Sequence, residues 1–313
     1  FEKTVHQIPR PRPDRNSIAE AATILRNAEK PLIISGGGVF YSGAVSELVS
    51  FAETFNIPVV ETIAGRSAML HDHPHNAGPL GVIGSSSANM LAEEADVVLA
   101  VGTRLQDFTT GSWSIFGNEQ MRLIAINAAR YDAHKHRALS VVGDALAGIE
   151  ELGQALEGWK APETWISQSR SLYAEWNTTV EQHSGPTTDV PPSYAHVIGA
   201  VNRVCDETDL ALTAAGGFPG ELCKNWKTKS SGTFDCEFGF SCMGYEIAGG
   251  WGAKMADPDR DVIVFVGDGS YLMMNSDIYS SVLTGHKLIV VVCDNGGFSV
   301  INRLQNFKGS VSF

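Results

Sequence analysis

The sequence contains no apolar run that approaches the roughly 20 residues needed to cross a bilayer. Its opening stretch, FEKTVHQIPRPRPDRNS, also lacks the apolar segment of a secretory signal. Cysteine is scarce: the five cysteines are odd in number and contain no CxxC pair. A chain of 313 residues does not need disulfides to fold, so small buried thiols are favoured. These absences predict a soluble cytoplasmic protein with no membrane partner.

Positively charged residues are also fewer than negatively charged ones. The chain has 23 Lys+Arg against 35 Asp+Glu, a net charge of −12. Such a surface repels a nucleic-acid backbone, so no nucleic-acid partner is expected. An anionic ligand would have to be held locally, by backbone N–H groups, a helix N-terminus or a metal ion.

Short β-branched runs alternate with segments of helical period throughout the chain. Strands are predicted at 31–35, 58–61, 96–101, 122–126, 210–213, 261–266 and 287–293, and helices at 18–27, 44–55, 144–157, 194–205 and 274–284. This alternation predicts an α/β fold of two doubly wound parallel-sheet domains.

The strand signal stops between residues 160 and 192, and this region ends in SGPTTDVPPS. Glycine and paired prolines are typical of a connection between domains. The predicted organisation is a first domain at 1–160, a linker at 161–191 and a second domain at 192–313.

Two polar segments each follow a predicted strand of the second domain. They are Gly267-Asp268-Gly269-Ser270 and Asp294-Asn295-Gly296-Gly297. Either alone is typical of an ordinary turn or helix cap. Because parallel strands deliver their carboxyl ends to the same edge of a sheet, the two segments are expected to be neighbours.

Together the two segments supply hard oxygen ligands. Asp268 offers a carboxylate, Asn295 an amide oxygen and the chain near Gly297 a backbone carbonyl, a set suited to Mg²⁺. The glycines allow the backbone to approach a diphosphate, and a helix predicted to begin after Ser270 would direct its N–H groups at it. The sequence therefore predicts a site for Mg²⁺ and a diphosphate.

The spacing of these segments resembles that of the thiamine diphosphate enzymes. Their GDG…NN signature matches Gly267-Asp268-Gly269, then 24 residues, then Asp294-Asn295. Asp294 departs from the first Asn of that signature, whereas Asn295 retains the second. The resemblance implies that Asp268, Asn295 and the carbonyl of Gly297 bind Mg²⁺.

A second segment, GFSCMGYEIAGGWGAKMA, is similar to the acetolactate synthase branch of the same family. The resemblance places Met243 under the cofactor, where it would hold the two cofactor rings in a V shape. An isolated methionine is more often a core residue. The loop that contains Gly217 and Phe218 corresponds by position to a further loop that contacts the diphosphate.

The first domain resembles the central domain of the family. Its segment ADVVLAVGTRLQDFTTG matches a region that in some relatives lines a flavin or ADP site. Gly102, Thr103 and Arg104 are therefore candidates for binding FAD or ADP. The run SGGGVFYSGAV follows a strand but lacks the GxGxxG spacing of a dinucleotide site.

Within the family, the segments around Met243, Asp268 and Asn295 are similar to hydrolases that open trihydroxycyclohexane-1,2-dione in myo-inositol catabolism. The resemblance implies thiamine diphosphate and Mg²⁺ as cofactors and a cyclic 1,2-diketone as substrate. An acetolactate synthase-like enzyme, or another 2-keto acid decarboxylase or carboligase, would use the same cofactor residues. A noncatalytic nucleotide-binding regulatory module is the alternative of another class.

In the family, the glutamate that activates the cofactor lies in an N-terminal pyrimidine-binding domain of the partner subunit. No such domain is recognised here, and only 18 residues follow Asn295. The resemblance thus implies a chain without its activating glutamate, with a second domain incomplete at its C-terminal end. It also implies a homodimer or homotetramer with active sites between subunits.

Overall fold

The computed structural model describes residues 7–311 of the chain. The first six residues of the predicted first domain and the last two of the second lie outside the described residues. The described residues form two α/β units, each built on a fully parallel sheet. This confirms the predicted fold class.

The first unit has six strands and seven helices. The strands are β1 Pro31–Ser35, β2 Val59–Glu61, β3 Asn76–Pro79, β4 Val97–Val101, β5 Arg122–Asn127 and β6 Leu139–Val142. The helices are α1 Arg15–Arg26, α2 Gly38–Tyr41, α3 Val45–Phe55, α4 Ser86–Glu94, α5 Asp107–Thr110, α6 Arg130–Ala133 and α7 Ala145–Ala155. Short 3₁₀ turns occupy Ile63–Gly65 and Lys135–Arg137.

The strands of this sheet lie in the order β3-β2-β1-β4-β5-β6. Residues Leu32 and Ile34 of β1 pack into one apolar layer, and Ile33 between them packs into the other. Because helices cover both faces of the sheet, the central strands consist mainly of consecutive apolar residues. The chain order reverses between β1 and β4, where α/β folds form a ligand crevice.

The predicted linker contains a long helix, α8 Glu163–Ser184. Its Trp165 is buried and donates from Nε1 to the carbonyl oxygen of Pro31, 2.8 Å away. At its other end, Arg203 donates to the carbonyl oxygen of Ser184 at 2.8 Å. Most of the segment at 161–191 is therefore a packed helix that contacts both units. Apolar residues are sparse in this helix, so the sequence shows no clear helical period there.

The second unit contains four strands and six helices. The strands are β7 Leu210–Thr213, β8 Phe234–Cys236, β9 Val262–Gly267 and β10 Ile289–Cys293. The helices are α9 Tyr194–Val204, α10 Phe218–Asn225, α11 Tyr245–Ala256, α12 Asp268–Met274, α13 Ser276–Leu283 and α14 Ser299–Phe307. The strand order is β10-β9-β7-β8.

The predicted helix at 274–284 corresponds to α13, and a separate helix, α12, precedes it. The first turn of α12 begins at Asp268, before Ser270. Asp268 thus occupies the first helical position, where a carboxylate interacts favourably with the helix dipole.

The two units meet through buried polar contacts. Arg66 pairs with Glu61 at the end of β2 and donates from Nη2 to the carbonyl oxygen of Trp226, 3.0 Å away. Thr228 donates its hydroxyl to the carbonyl oxygen of Met69 at 3.1 Å. Contacts of this kind fix the orientation of the first unit against the second.

Among residues 7–311, none of the helices combines the length and the apolar composition of a membrane span.

Candidate functional site at the edge of the second sheet

The two polar segments lie side by side. Strands β9 and β10 are parallel neighbours, and Cys293 of β10 is in register with Gly267 of β9. The backbone N–H of Asn295 donates to Asp268 Oδ1 at 3.3 Å. The predicted proximity of the two segments is confirmed.

The side chain of Asn295 lies among oxygen atoms of three residues. The inner atom of its amide is 2.7 Å from the carbonyl oxygen of Gly297, 3.2 Å from Ser299 Oγ and 3.3 Å from Asp268 Oδ1, and its outer atom is 2.7 Å from the Tyr194 hydroxyl. An inward NH₂ group donates to all three neighbours, whereas an inward amide oxygen brings oxygen against oxygen. Oxygens this close need a proton or a cation between them. Around an octahedral Mg²⁺ with bonds of about 2.0–2.1 Å, adjacent oxygens stand about 2.9 Å apart. With the amide oxygen of Asn295 inward, its spacing from the oxygens of Gly297 and Asp268 would fit a magnesium ion.

The donor set at this edge is mixed. No group of three or more His, Cys, Asp or Glu side chains in the described part of the chain is arranged to hold a metal. A metal here would depend on one carboxylate, one amide and one carbonyl, as the sequence analysis expects. These are oxygen donors, which suit a hard divalent cation better than a soft one.

The position of Gly269 has no space for a side chain. A Cβ at this position would lie 2.9 Å from the ring of Phe298 and 3.6 Å from Cε of Met243. The methyl end of Met243 therefore lies against the same loop that carries Asp268. The role of Met243 under the cofactor stays a prediction.

The turn after Met243 requires glycine. Gly244 caps α11 with a φ of 93°, and a Cβ there would lie 2.4 Å from Cγ of Met274. The preceding loop folds around Glu237, whose carboxylate accepts from the N–H groups of Phe240 at 3.1 Å and Cys242 at 2.7 Å. Although burial acts in the opposite direction, these N–H groups lower the pKa of Glu237. The segment that carries Met243 is thus held by hydrogen bonds to Glu237.

Glu246 is a fully buried carboxylate in α11 that was not predicted from the sequence. It accepts hydrogen bonds from the N–H of Ala215 at 3.0 Å, the N–H of Gly244 at 3.0 Å and the hydroxyl of Ser270 at 2.7 Å. These three residues lie in the loop after β7, at the N-cap of α11 and in the first turn of α12. A charged residue within the apolar run YEIAGG was the signal that could have revealed it.

Ser270 is accordingly turned away from the edge. Its hydroxyl also accepts from the N–H of Gly244 at 2.8 Å, and the residue is buried. Any contact between Ser270 and a diphosphate would therefore come from the backbone.

The predicted loop at Gly217 and Phe218 is the N-terminus of α10. The Phe218 side chain is fully buried and packs on Phe265, with ring centres 5.4 Å apart. Only backbone N–H groups of this loop can face a ligand, as at other helix N-termini that bind anions. A Cβ on Gly217 would lie 2.8 Å from the Tyr194 ring, so this loop is tightly packed.

The candidates in the first unit lie elsewhere. Gly102, Thr103 and Arg104 line a cavity of about 370 Å³ at the carboxyl ends of β1 and β4. A Cβ on Gly36 would lie 2.5 Å from the carbonyl oxygen of Gly102, and Gly38 is equally close to that residue. Close packing of the backbone therefore explains this glycine run without a ligand.

Comparison with known proteins agrees with this architecture. Residues 18–152 match the central domain of thiamine pyrophosphate enzymes, and residues 214–313 match their C-terminal TPP binding domain. The chain belongs to the thiamine pyrophosphate (thiamine diphosphate) enzymes, and it contains these two domains.

Among individual proteins, the chain is similar to the 3D-(3,5/4)-trihydroxycyclohexane-1,2-dione hydrolases of Bacillus cereus (strain AH820) and Geobacillus thermodenitrificans (strain NG80-2). Each is 39% identical over 100% of this chain. The chain spans 52% of the length of each relative. The similarity therefore confirms the family resemblance that the sequence motifs indicate.

Proposed function

We propose that the intact protein is a thiamine diphosphate-dependent hydrolase that opens the ring of trihydroxycyclohexane-1,2-dione in myo-inositol catabolism. The observation that carries the proposal is the convergence of Asp268, the Asn295 amide and the Gly297 carbonyl beside Met243. The substrate is proposed from the names of relatives that are 39% identical over the whole chain.

In this proposal Asp268, Asn295 and the Gly297 carbonyl hold Mg²⁺, which offsets the charge of the diphosphate. Backbone N–H groups of two loops face the phosphates, in the segments formed by Gly217 and Phe218 and by Gly267, Gly269 and Ser270. Thiamine diphosphate, when bound, supplies a nucleophilic carbon and accepts the electrons released as a C–C bond breaks. Met243 orients the cofactor, and Glu246 keeps the segments of Ala215, Gly244 and Ser270 in place.

We propose that the glutamate activating the cofactor lies outside this chain, in a domain of a partner subunit. The exposed apolar side chains of α12 and α13 support a homodimer or homotetramer. They include Leu272, Met273, Tyr279, Val282 and Leu283. An apolar surface of this kind is typical of an interaction site.

Two further points stay predictions. All five cysteines are free thiols, which supports a cytoplasmic protein. FAD or ADP in the cavity beside Arg104 is a separate prediction, and a noncatalytic nucleotide-binding role would depend on it.

The experiment combines cofactor binding with substrate profiling of the intact protein. Asp268→Ala should abolish Mg²⁺-dependent retention of thiamine diphosphate, because it removes the carboxylate of the metal site. Asp294→Ala is the matched control, since Asp294 is exposed and its Oδ1 accepts from the turn N–H of Gly296, 3.1 Å away.

The wild-type enzyme should open the cyclic dione and use pyruvate poorly. Acetolactate formation from pyruvate without ring opening would favour the acetolactate synthase-like alternative. Binding of ADP or FAD without thiamine diphosphate would favour the regulatory module. Metal-dependent binding that survives in Asp268→Ala would contradict the site itself.

A further inference from the structure

The two units also touch beside the residue proposed to orient the cofactor. Residues 237–243, the Met243 segment, lie between β8 and α11. Within this segment, the ring of Phe238 packs edge-on against Phe108 of α5, with ring centres 4.7 Å apart and 68° between the ring planes. A helix of the first unit therefore contacts the loop of the second unit that ends at Met243.

The backbone of Phe108 is fixed within the first unit. Its carbonyl oxygen accepts from the N–H of Val82 at 2.9 Å. A Cβ on Gly81 would lie 2.3 Å from the same oxygen, so these two stretches of backbone are in close contact. The next residue, Thr109, is buried, whereas Phe108 itself is 43% exposed. The ring of Phe108 is thus presented to the second unit from a packed backbone.

The Met243 segment is a compact loop with an exposed outer face. The Glu237 carboxylate accepts from the N–H groups of Phe240 at 3.1 Å and Cys242 at 2.7 Å, which joins the two ends of the loop. Phe240 and Cys242 are both exposed. Because Phe238 lies inside this hydrogen-bonded loop, a displacement of its ring would also displace Cys242 and the adjacent Met243.

Met243 is held from its other side as well. The N–H of the next residue, Gly244, donates to the buried Glu246 carboxylate at 3.0 Å and to the Ser270 hydroxyl at 2.8 Å. The methyl end of Met243 lies beside Gly269 of the proposed diphosphate site. The backbone before Met243 is supported by the contact with the first unit, and the backbone after it by the buried carboxylate.

We propose that Phe108 is a positioning residue, whose ring holds the Met243 segment, through Phe238, where Met243 can orient the cofactor. This inference rests on the proposed function and gives the first unit a part in the reaction. A contact shifts a conformational equilibrium by no more than its own free energy. The loss of one aromatic pair therefore limits the expected effect to about 2- to 10-fold.

The first test needs no cofactor. Amide hydrogen exchange would be followed by mass spectrometry in the intact protein, on peptides that cover the Met243 segment. In Phe108→Ala the protected N–H groups of Phe240 and Cys242 should exchange about 2- to 10-fold faster than in wild type, because the segment has lost its contact with the first unit.

Three further variants separate this contact from a general loss of stability. Phe108→Tyr keeps the ring and should exchange like wild type. Phe116→Ala is the matched control, because it removes one ring of an aromatic pair with Trp113 inside the first unit, with centres 5.0 Å apart, and should leave the segment unchanged. Phe238→Ala should reproduce the effect of Phe108→Ala, and the double variant should add little to either.

The second test uses the loaded enzyme. Phe108→Ala should lower kcat about 2- to 10-fold, while Mg²⁺-dependent affinity for thiamine diphosphate stays within about 2-fold of wild type. Affinity should survive because the proposed metal contacts come from Asp268, Asn295 and Gly297. Phe116→Ala should keep the wild-type kcat.

Unchanged exchange in Phe108→Ala, or exchange that rises equally throughout the second unit, would overturn the role of Phe108 in holding the segment. Faster exchange with wild-type kcat would show that the segment does not act through Met243, and would overturn the positioning role. If the wild type does not bind thiamine diphosphate with Mg²⁺, the proposed function fails, and the positioning role fails with it whatever the exchange shows.

Discussion

Adjacent residues at the end of β10 have different tasks. Asp294 is exposed, and its carboxylate accepts the turn N–H of Gly296 at 3.1 Å. Asn295, the next residue, directs its amide toward Asp268 and Gly297. Because Asp294 shapes the turn and lies outside the oxygen cluster, replacing the family's first Asn by Asp leaves the proposed metal donors unchanged.

Residue identity also determines what sequence analysis can find. Asp268 and Asn295 were predicted because each is a polar residue next to glycine just after an apolar strand. Glu246 and Tyr194 were missed because their partners are distant in the chain: Glu246 binds Ser270, and Tyr194 contacts Asn295. Spacing within one segment does not encode such contacts, which arise only when loops pack together.

Met243→Ala should lower turnover by on the order of 10²-fold while most cofactor affinity survives. The proposed contacts to the metal and diphosphate come from other residues, whereas Met243 would control the orientation of the cofactor rings. Thiamine diphosphate affinity, turnover and melting temperature would be measured on the same preparations.

Met255→Ala provides a control for Met243, because Met255 is an exposed residue of α11. If Met243 only fills space, its removal should cost about 2–5 kcal/mol of stability through a cavity. A destabilised Met243→Ala enzyme with normal turnover would contradict the orienting role.

At the scale of elements, the buried strands were the most predictable part of the fold. β1 and β7 match the predicted ranges, since both are uninterrupted apolar runs. β3, with the sequence NAGP, and β6 at the opposite edge were not predicted. Edge strands are short and mixed in composition, so their pairing depends on a neighbour that is already in place.

The loop that leads into β3 carries a buried base. His75 is 7% exposed, and neither of its ring nitrogens has a hydrogen-bond partner among residues 7–311. Burial, followed by the charges of His73 and Arg170, lowers the pKa of His75 from 6.5 to about 4, against the opposing charges of Glu53 and Glu163.

The native state should therefore lose stability on acidification. His75 has a folded pKa of about 4 and an ordinary value of 6.5, so the unfolded chain binds the proton first. Its contribution is complete above pH 6.5 and declines as the pH falls toward 4, by up to about 2–3 kcal/mol. Denaturant unfolding at several pH values would measure this slope.

His75→Leu removes the titrating group, so its unfolding free energy should depend less on pH across this window. His183→Leu, on an exposed histidine of α8, is the control and should keep the wild-type slope. An equal slope in wild type and His75→Leu would show that other groups cause the acid sensitivity.

At the scale of the whole molecule, the two units are joined by a buried ion pair. Glu61 and Arg66 are both at most 3% exposed, and Arg66 also reaches Trp226 of the second unit. Burial raises the pKa of the Glu61 carboxyl, while the charge of Arg66 acts in the opposite direction. Each partner therefore compensates for the burial of the other.

Arg66→Met should destabilise the protein by about 3–5 kcal/mol, because it leaves the Glu61 carboxylate buried without its cation. Since Arg66 also donates to the second unit, the variant should unfold in two calorimetric transitions where the wild type shows one. The loss should shrink at lower pH, because protonation then neutralises Glu61, whose folded pKa would rise well above its unfolded value. Adding Glu61→Gln should recover part of the lost stability, because it removes the unpaired buried carboxylate.

Arg170→Met is the control variant for Arg66→Met. It removes an exposed ion pair with Glu163 and should cost about 1 kcal/mol of stability or less. A single transition and wild-type stability in Arg66→Met would show that the apolar contact through Ile63 is enough to hold the units together.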